Sequence, residues 1–216
     1  MADPVKPPSR PYHAPQRAAA AARTREAIVT AAKDAFERLG WPGATMRGIA
    51  DQAGVSVKTV EALYRTKAEL LKHVVDYAIA GDLRPIPVSG REPVAAMQAA
   101  PDAPAMLDLH ARQVTDIAER SGQVFWVVEQ AAPADPDIAG LWAQMSDNRR
   151  SGARWAATTL LGKPGLPPHV GQHYAEEVFW LAIDPGTYRS LTLGRGLNLA
   201  DFETWIRNFY DKMLLH

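Results

Sequence analysis

The sequence has 216 residues, of which 47% are hydrophobic, and it contains no cysteine. The missing cysteines exclude disulfides, thiolate metal sites and cysteine nucleophiles, and they fit a reducing compartment. No apolar run reaches the length of about 18 residues that a membrane-spanning helix needs. The N-terminal stretch also lacks the apolar core of a signal peptide. We therefore expect a cytoplasmic protein with no membrane partner.

The net charge is zero, but it is unevenly distributed. Residues 1–80 carry 12 Lys and Arg against 8 Asp and Glu, a balance of +4, and the remainder carries −4. A basic first third joined to an acidic remainder favours a polyanionic partner for the first part.

Residues 1–22 hold five of the 17 prolines and few large apolar residues, so we expect a disordered basic arm. Apolar residues at helical spacing then predict a first helix over about 24–39, which stops at Gly40. Thr45 and Ser56 are candidate N-caps of two short helices, and Gly54 between them supplies a positive φ. Thr66 opens a fourth helix through a T-x-x-E capping box. This order of elements is typical of a helix-turn-helix unit, which we place in residues 23–80.

A polar, proline-bearing break over 81–93 separates this unit from residues 81–216. Helical patterns follow near 93–100, 103–120, 123–132, 136–161 and 168–183. Two further helices begin after Asp184 and Asn198. No alternating strand pattern competes, so the predicted fold class is all-α. It combines an N-terminal three-helix helix-turn-helix domain with a C-terminal helical bundle for effector binding and dimerisation.

A helix-turn-helix unit places its second helix in the major groove, where the N-terminal side chains reach base edges. The predicted DNA-binding residues are Thr45, Arg47, Ser56, Val57, Lys58, Thr59, Tyr64 and Lys67. We expect Arg47, Ser56, Val57, Lys58 and Thr59 to approach bases, and Thr45, Tyr64 and Lys67 to position the phosphate backbone. In the arm and the first helix, Lys6, Arg10, Arg17, Arg23 and Arg25 could enter the minor groove or screen phosphates.

The run from Thr24 to Leu71 resembles the TetR family of bacterial transcriptional regulators. The resemblance lies in a first helix ending LG, the segment TMRGIADQAGVSVKTV, an aromatic at Tyr64 and the TKAELL that opens the fourth helix. It covers about a quarter of the chain. It implies a homodimer that binds a palindromic double-stranded DNA operator and leaves it when a small molecule enters the second domain. Glu61 and Leu63 depart from the family, which often has a phosphate-binding tyrosine and histidine at these two positions.

Two apolar residue sets are candidates for sites in the second domain. A pocket for an effector of unknown identity is predicted from Met106, His110, Phe125, Trp126, Glu129, Trp142, Met145 and Trp155, with plain core packing as the alternative. Glu129 lies in an apolar run and could meet a cationic effector. A dimer interface is predicted from Trp180, Leu181, Phe202, Trp205, Ile206, Phe209 and Met213, which could instead cover their own core.

No enzymatic motif is present, and we expect neither a cofactor nor a metal. The sequence has no G-x-S-x-G, no phosphate-binding glycine loop and no H-E-x-x-H. His169 and His173 have a spacing that could hold a metal, but a proline-rich helix start is more often exposed surface. The predicted function is a transcriptional regulator, most simply a repressor. The alternatives are a helical architectural DNA-binding protein and a small-molecule-binding bundle that has lost its affinity for DNA.

Overall fold

The computed structural model describes residues 14–216, and these form ten α-helices and no strand. The helices are α1 (Ala14–Gly43), α2 (Met46–Gln52), α3 (Val57–Leu63), α4 (Lys67–Ala80), α5 (Glu92–Ala99), α6 (Ala103–Ala131), α7 (Pro136–Leu161), α8 (Gln172–Ala182), α9 (Pro185–Arg189) and α10 (Leu199–Tyr210). A 3₁₀ turn lies at Val88–Gly90, and α9 and α10 each continue into a π-helical turn. Within the described range, no helix is both long and apolar enough to cross a membrane.

Helix α1 begins about ten residues before the predicted start. Residues 14–22, which we expected to be disordered, are helical. They contain a run of alanines, and alanine has the highest helix propensity of the residue types. The rest of the predicted arm, with Lys6 and Arg10, lies outside the described residues. At the other end, Gly40 has φ 67°, a left-handed conformation that interrupts the helix where a stop was predicted.

The predicted N-caps of the helix-turn-helix unit are confirmed. The hydroxyl oxygens of Thr45, Ser56 and Thr66 accept from amides three residues later, at 3.0 to 3.1 Å. In the capping box of α4, the Glu69 carboxylate accepts from the Arg65 amide at 3.0 Å, one residue before the N-cap Thr66. Gly54 has φ 68° between α2 and α3. These local hydrogen bonds give two seven-residue helices defined start points.

Helix α6 is continuous over 29 residues, although the sequence pattern predicted a break near residue 122. Gly122 packs against the Tyr188 ring, and a Cβ atom at this position would come within 2.7 Å of that ring. The glycine therefore allows close packing and is not a helix stop. Nothing in the local sequence reveals this contact, since Tyr188 lies 66 positions away.

Two hydrophobic cores share α6 and α7. The first core contains α1 to α4 and is completed by the C-terminal part of α6, including Val124 and Val128, and by Ile138 and Leu141 of α7. The second core contains α5, α8 and α10 together with the N-terminal half of α6 and the C-terminal half of α7. The packing is therefore not divided at residue 81, where the sequence suggested a boundary.

The segment between α4 and α5 is held by ion pairs. The carboxylate of Asp82 accepts from Arg91 at 2.9 and 3.0 Å and from Arg84 at 2.8 Å. These bonds, with Arg91 the larger contributor, keep the pKa of the Asp82 carboxyl well below its usual range. The fixed segment places Pro87, Val88 and Ser89 against the interior of the bundle.

Candidate DNA-binding surface and ligand cavity

The exposed face of α2 and α3 carries two free cations. Arg47 on α2 and Lys58 on α3 are exposed, as is the capping residue Thr45. Ser56 is exposed too, but its oxygen caps α3 and lies 2.8 Å from the Thr59 hydroxyl. Arg47 and Lys58 are thus the side chains most available to donate to guanine acceptors.

Two other predicted DNA-binding residues, Val57 and Tyr64, pack against the protein core. Val57 packs against the first core and is only half-buried. Tyr64 is 4% exposed, and its ring lies edge-on to His73 with centroids 5.0 Å apart. Burial raises the pKa of the Tyr64 hydroxyl. The ring fills the core under the end of α3, and the predicted contact of its hydroxyl with a phosphate stays a prediction.

Lys67 has a structural role that the sequence did not indicate. Its ammonium donates to the main-chain oxygens of Trp41 at 2.6 Å and Ala44 at 3.0 Å, and lies 4.1 Å from the centre of the Trp41 ring. Burial lowers the pKa of this ammonium. Lys67 therefore ties the turn after α1 to the start of α4, and its predicted phosphate contact remains a prediction.

Glu61 is exposed on α3, on the same side of the helix as Lys58. Residues three apart on a helix are neighbours on its surface, so Glu61 and Lys58 share the exposed side of α3. Leu63 is half-buried against the first core. Of the two positions where the sequence departs from the family pattern, only Glu61 changes the charge of the exposed face.

A cavity of about 650 Å³ lies between α4, α6, α7 and the segment before α5. This volume is within the range of small-molecule sites. Its apolar lining includes Val75, Ile79, Val114, Ile117, Phe125, Leu141, Met145, Trp155, Tyr188 and Phe202, and its polar lining includes Ser89, His110, Gln113, Ser121, Gln144, Asn148, Arg149, Ser151 and Asp184. Val75 and Ile79 belong to α4, so one wall of the cavity is part of the helix-turn-helix unit.

Four of the eight predicted effector residues line this cavity, and four do not. His110, Phe125, Met145 and Trp155 belong to its wall. Met106 is fully buried in the second core, and Trp142 packs half-buried against the first. Trp126 and the exposed Glu129 line a separate surface depression, where the Arg189 guanidinium lies 3.3 Å from the Trp126 ring centre. The carboxylate of Glu129 thus reaches solvent and does not face the cavity.

The cavity contains one pair of opposite charges. The Arg149 guanidinium donates to Asp184 Oδ1 at 2.8 Å and stacks on the Trp180 ring at 4.2 Å. The second Asp184 oxygen accepts from the Thr187 amide at the start of α9. Burial lowers the pKa of Arg149, and the Asp184 charge opposes this shift. Sequence reasoning recognised Asp184 as a helix cap but gave no signal that Arg149 would meet it.

His110 lies at one end of the cavity and is 7% exposed. Its Nδ1 is 2.7 Å from the Tyr210 hydroxyl, and its ring packs 4.7 Å from the Phe179 ring centre. Burial lowers the pKa of the imidazole to about 4, so His110 is neutral at physiological pH. Burial also raises the pKa of Tyr210, which keeps that hydroxyl protonated.

The predicted dimer residues divide into two groups. Phe202 and Ile206 are fully buried in the second core, so their prediction as interface residues is wrong for this chain. Trp180, Leu181, Trp205, Phe209 and Met213 keep exposed area, and Leu181 is 52% exposed. Tyr174, which is 41% exposed, contacts Met213 through its hydroxyl and so joins the outer faces of α8 and the turn after α10.

The predicted histidine pair on α8 shows ordinary surface geometry. His173 lies 3.8 Å from Glu177, and Glu176 accepts from Gln172 at 2.7 Å. In the part of the chain that the structure describes, no group of three metal-ligating side chains could hold an ion.

The sequence and the fold were compared with known proteins. Residues 28–74, which span α1 to α4, match the family model for "Bacterial regulatory proteins, tetR family". Over this stretch the chain is similar to the TetR family. The match places a helix-turn-helix unit of the kind found in that family at α1 to α4. No curated protein sequence matches the chain.

Solved structures of TetR-family proteins share the fold over most of the chain. A TetR-family transcriptional regulator from Rhodococcus sp. is 14% identical, with a TM-score of 0.66, and the alignment covers 89% of this chain and 98% of that one. A TetR regulator from Haloarcula marismortui ATCC 43049 is 19% identical, with a TM-score of 0.64 and coverage of 88% and 98%. A transcriptional regulator from Saccharomonospora viridis in complex with choline is 16% identical, with a TM-score of 0.66 and coverage of 89% and 97%.

Proposed function

We propose that this protein is a homodimeric repressor of the TetR family that binds a palindromic operator and leaves it when a small molecule fills the cavity. The observation that carries the proposal is the position of Val75 and Ile79. Both residues line the cavity, and both belong to α4, whose other side chains fill the core of the DNA-binding head. A ligand in the cavity therefore touches the helix that supports α2 and α3.

Arg47, Lys58 and Thr45 support the DNA-binding part of the proposal. They are exposed on the two short helices, while the neighbouring apolar residues hold those helices to the core. Helix α3 would enter the major groove with Lys58 near its N-terminus, and α2 would cross the backbone. The exposed arginines Arg17, Arg23 and Arg25 of α1 add positive charge near the head.

The coupling would be a two-state equilibrium of the head position. A ligand that fits the cavity in one position of α4 better than in the other shifts the equilibrium by its difference in affinity. Reciprocity then requires operator DNA to weaken ligand binding by the same factor. The choline bound by the Saccharomonospora viridis regulator shows that a protein of this fold accepts a small organic molecule.

The outer faces of α8 and α10 support the dimer. Tyr174 and Leu181 are seven residues apart and lie on one stripe of α8, and Trp205 and Phe209 stack on α10 with centroids 5.3 Å apart. The contact between Tyr174 and Met213 makes these stripes continuous. Paired across a two-fold axis, they would form a four-helix interface.

The test is binding of the purified protein to fragments of the DNA that flanks its own coding region, at low and moderate salt. Saturable binding to one short palindrome, surviving an excess of random DNA and falling steeply with salt, is the expected result. Analytical ultracentrifugation of the complex should give two chains per palindrome. Weak binding that is equal for all sequences would contradict the proposal and favour a ligand-binding bundle without an operator.

A further inference from the structure

The cavity is elongated along α6. Its lining residues on that helix run from His110 to Phe125, which corresponds to about 22 Å of helix axis. This distance is roughly twice the width of a sphere of the same volume. The cavity therefore suits an extended molecule better than a compact one.

The His110 end presents a hydrogen-bond donor. Tyr210 is fully buried, and His110 Nδ1 is the partner that the described residues provide for its hydroxyl. If Nδ1 carried the imidazole proton, the hydroxyl proton of Tyr210 would have no acceptor, which is costly in a buried site. Tyr210 therefore donates to Nδ1, and the proton of the neutral ring lies on Nε2. Since His110 lines the cavity, this N–H is available to a ligand oxygen.

An acceptor lies beside this donor. Gln113 is one turn along α6 from His110, and its Oε1 is buried without a hydrogen-bond partner among the described residues. A hydroxyl group both accepts and donates, so its chemistry matches the donor of His110 and the acceptor of Gln113.

The cavity offers no uncompensated charge to an ionic ligand. Its charged lining residues are Arg149 and Asp184, and they pair at 2.8 Å through Arg149 Nη2, while Arg149 Nε is buried without a partner among the described residues. Near His110 the polar lining is uncharged. A buried carboxylate or ammonium would lose its hydration there without gaining a counterion.

The far wall is formed by α4. Arg120 Nη2 donates to the main-chain oxygen of Ile79, so the C-terminal end of α4 lies within reach of the Arg120 side chain on α6. Arg120 is ten residues beyond His110, which corresponds to about 15 Å along the helix. A ligand anchored at His110 reaches α4 only if its apolar part spans this length.

We infer that the effector is an uncharged, extended molecule with an oxygen head, most simply a hydroxyl, bound by His110 Nε2 and an apolar chain that ends against Val75 and Ile79. The inference builds on the proposed function and adds two properties to it. Head chemistry determines binding, whereas chain length determines release of DNA. Short ligands occupy the His110 end without touching α4, and only longer ligands displace it.

The head group is tested by calorimetry, which measures how tightly 1-decanol, decanoate and decylamine bind to the free protein below their micelle concentrations. We expect 1-decanol to bind at least about tenfold more tightly than either ion. His110→Leu should abolish this preference. In ¹⁵N spectra of histidine-labelled protein, His110 should show the tautomer protonated at Nε2, and Tyr210→Phe should shift this equilibrium. Equal affinity for the three probes, no binding at all, or protonation at Nδ1 would overturn the inference.

Chain length is tested with straight-chain alcohols from hexanol to hexadecanol, measuring affinity and DNA release separately. Release should begin at a threshold length, while binding rises smoothly. Ile79→Ala should move the threshold to longer chains and Ile79→Phe to shorter ones. Ile117→Ala, which removes a similar side-chain volume from the cavity wall between its two ends, is the matched control and should leave the threshold in place.

The two proposals fail in different ways. Absence of sequence-specific DNA binding would contradict the repressor function. The calorimetric comparison would still test the head-group preference of the cavity. A protein that binds its operator but releases it equally with every alcohol that binds would retain the repressor and exclude the length dependence.

Discussion

The guanidinium of Arg120 donates to the main-chain oxygen of Ile79 at 3.1 Å, and its Nε donates to that of Ala78 at 3.1 Å. A cation of α6 thus closes the C-terminal end of α4, where the helix leaves carbonyl oxygens unsatisfied. Next to it, Gly81 continues the chain in a left-handed conformation with φ 81°. The contact fixes α4 to α6 beside the cavity wall.

Replacing Arg120 by Gln should lower the free energy of unfolding by about 1 to 2 kcal/mol, because two carbonyl oxygens lose a charged donor. It should also reduce the change in operator affinity caused by a bound ligand, since α4 would be less firmly attached to α6. Urea unfolding and DNA titrations with and without ligand measure the two effects. The control is Arg112, an exposed arginine of α6 that lies 3.9 Å from Glu203 of α10, and Arg112→Gln should change neither quantity. Unchanged coupling in Arg120→Gln would show that the contact is only structural.

Lys58→Ala and Arg47→Ala should each reduce discrimination between operator and random DNA by about 1 to 3 kcal/mol. Both side chains are exposed, so the melting temperature should stay the same. Competition binding with random DNA measures the loss. Lys72→Ala removes an exposed lysine of α4 that pairs with Asp76 and serves as the control. A variant at position 47 or 58 that kept full sequence preference would exclude that residue from base recognition.

Lys67→Met should destabilise the head by about 1 to 3 kcal/mol, because the oxygens of Trp41 and Ala44 lose their donor in a partly buried site. We expect the loss of DNA binding to follow the loss of folded protein. Comparing thermal unfolding with DNA affinity at a temperature where the variant is fully folded separates the two. If the folded variant lost the same amount of affinity for all DNA sequences, this would support the phosphate contact that the sequence predicts.

Glu61→Gln should strengthen DNA binding several-fold and make its dependence on salt steeper. The change removes a negative charge from the exposed face of α3 beside Lys58 and keeps the size of the side chain. Fluorescence anisotropy across a salt series measures both quantities. Glu37→Gln would be an unsuitable control because Glu37 pairs with Lys33 at 2.6 Å, so the exposed Glu26 of α1 is preferable. An unchanged salt slope would place Glu61 away from the phosphates.

His110 should make the protein sensitive to acid. Its imidazole has an ordinary pKa of 6.5 when unfolded and about 4 when folded, so between these values the unfolded chain binds more protons. Stability contributed by the neutral ring is therefore complete above pH 6.5 and falls by about 3 kcal/mol as the pH drops to 4. His110→Gln should remove this part of the slope, whereas His173→Gln, at an exposed histidine, should not. Equal slopes in all three proteins would contradict the buried, neutral state.

The features that the sequence predicted correctly depend on neighbouring residues. Thr45, Ser56 and Asn198 cap helices through hydrogen bonds that reach only three positions, and the apolar stripe of α4 follows from helical spacing. Features that depend on distant residues were missed. Gly122 accommodates Tyr188, and Lys67 binds carbonyl oxygens more than twenty positions away. Phe202 is fully buried, whereas Trp205, three residues later, keeps exposed area. Apolar residues on an amphipathic helix indicate a buried face without telling which partner buries it.

Because α6 and α7 contribute to both cores, the two halves of the chain should unfold together. A fragment that ends near residue 81 would lack Val124, Val128, Ile138 and Leu141, and would expose the apolar surface that these residues cover. The DNA-binding head is therefore not an independently stable module, and its rigidity depends on how well the remainder of the bundle is packed. Loosening the bundle far from DNA would weaken operator binding without altering any residue that touches it.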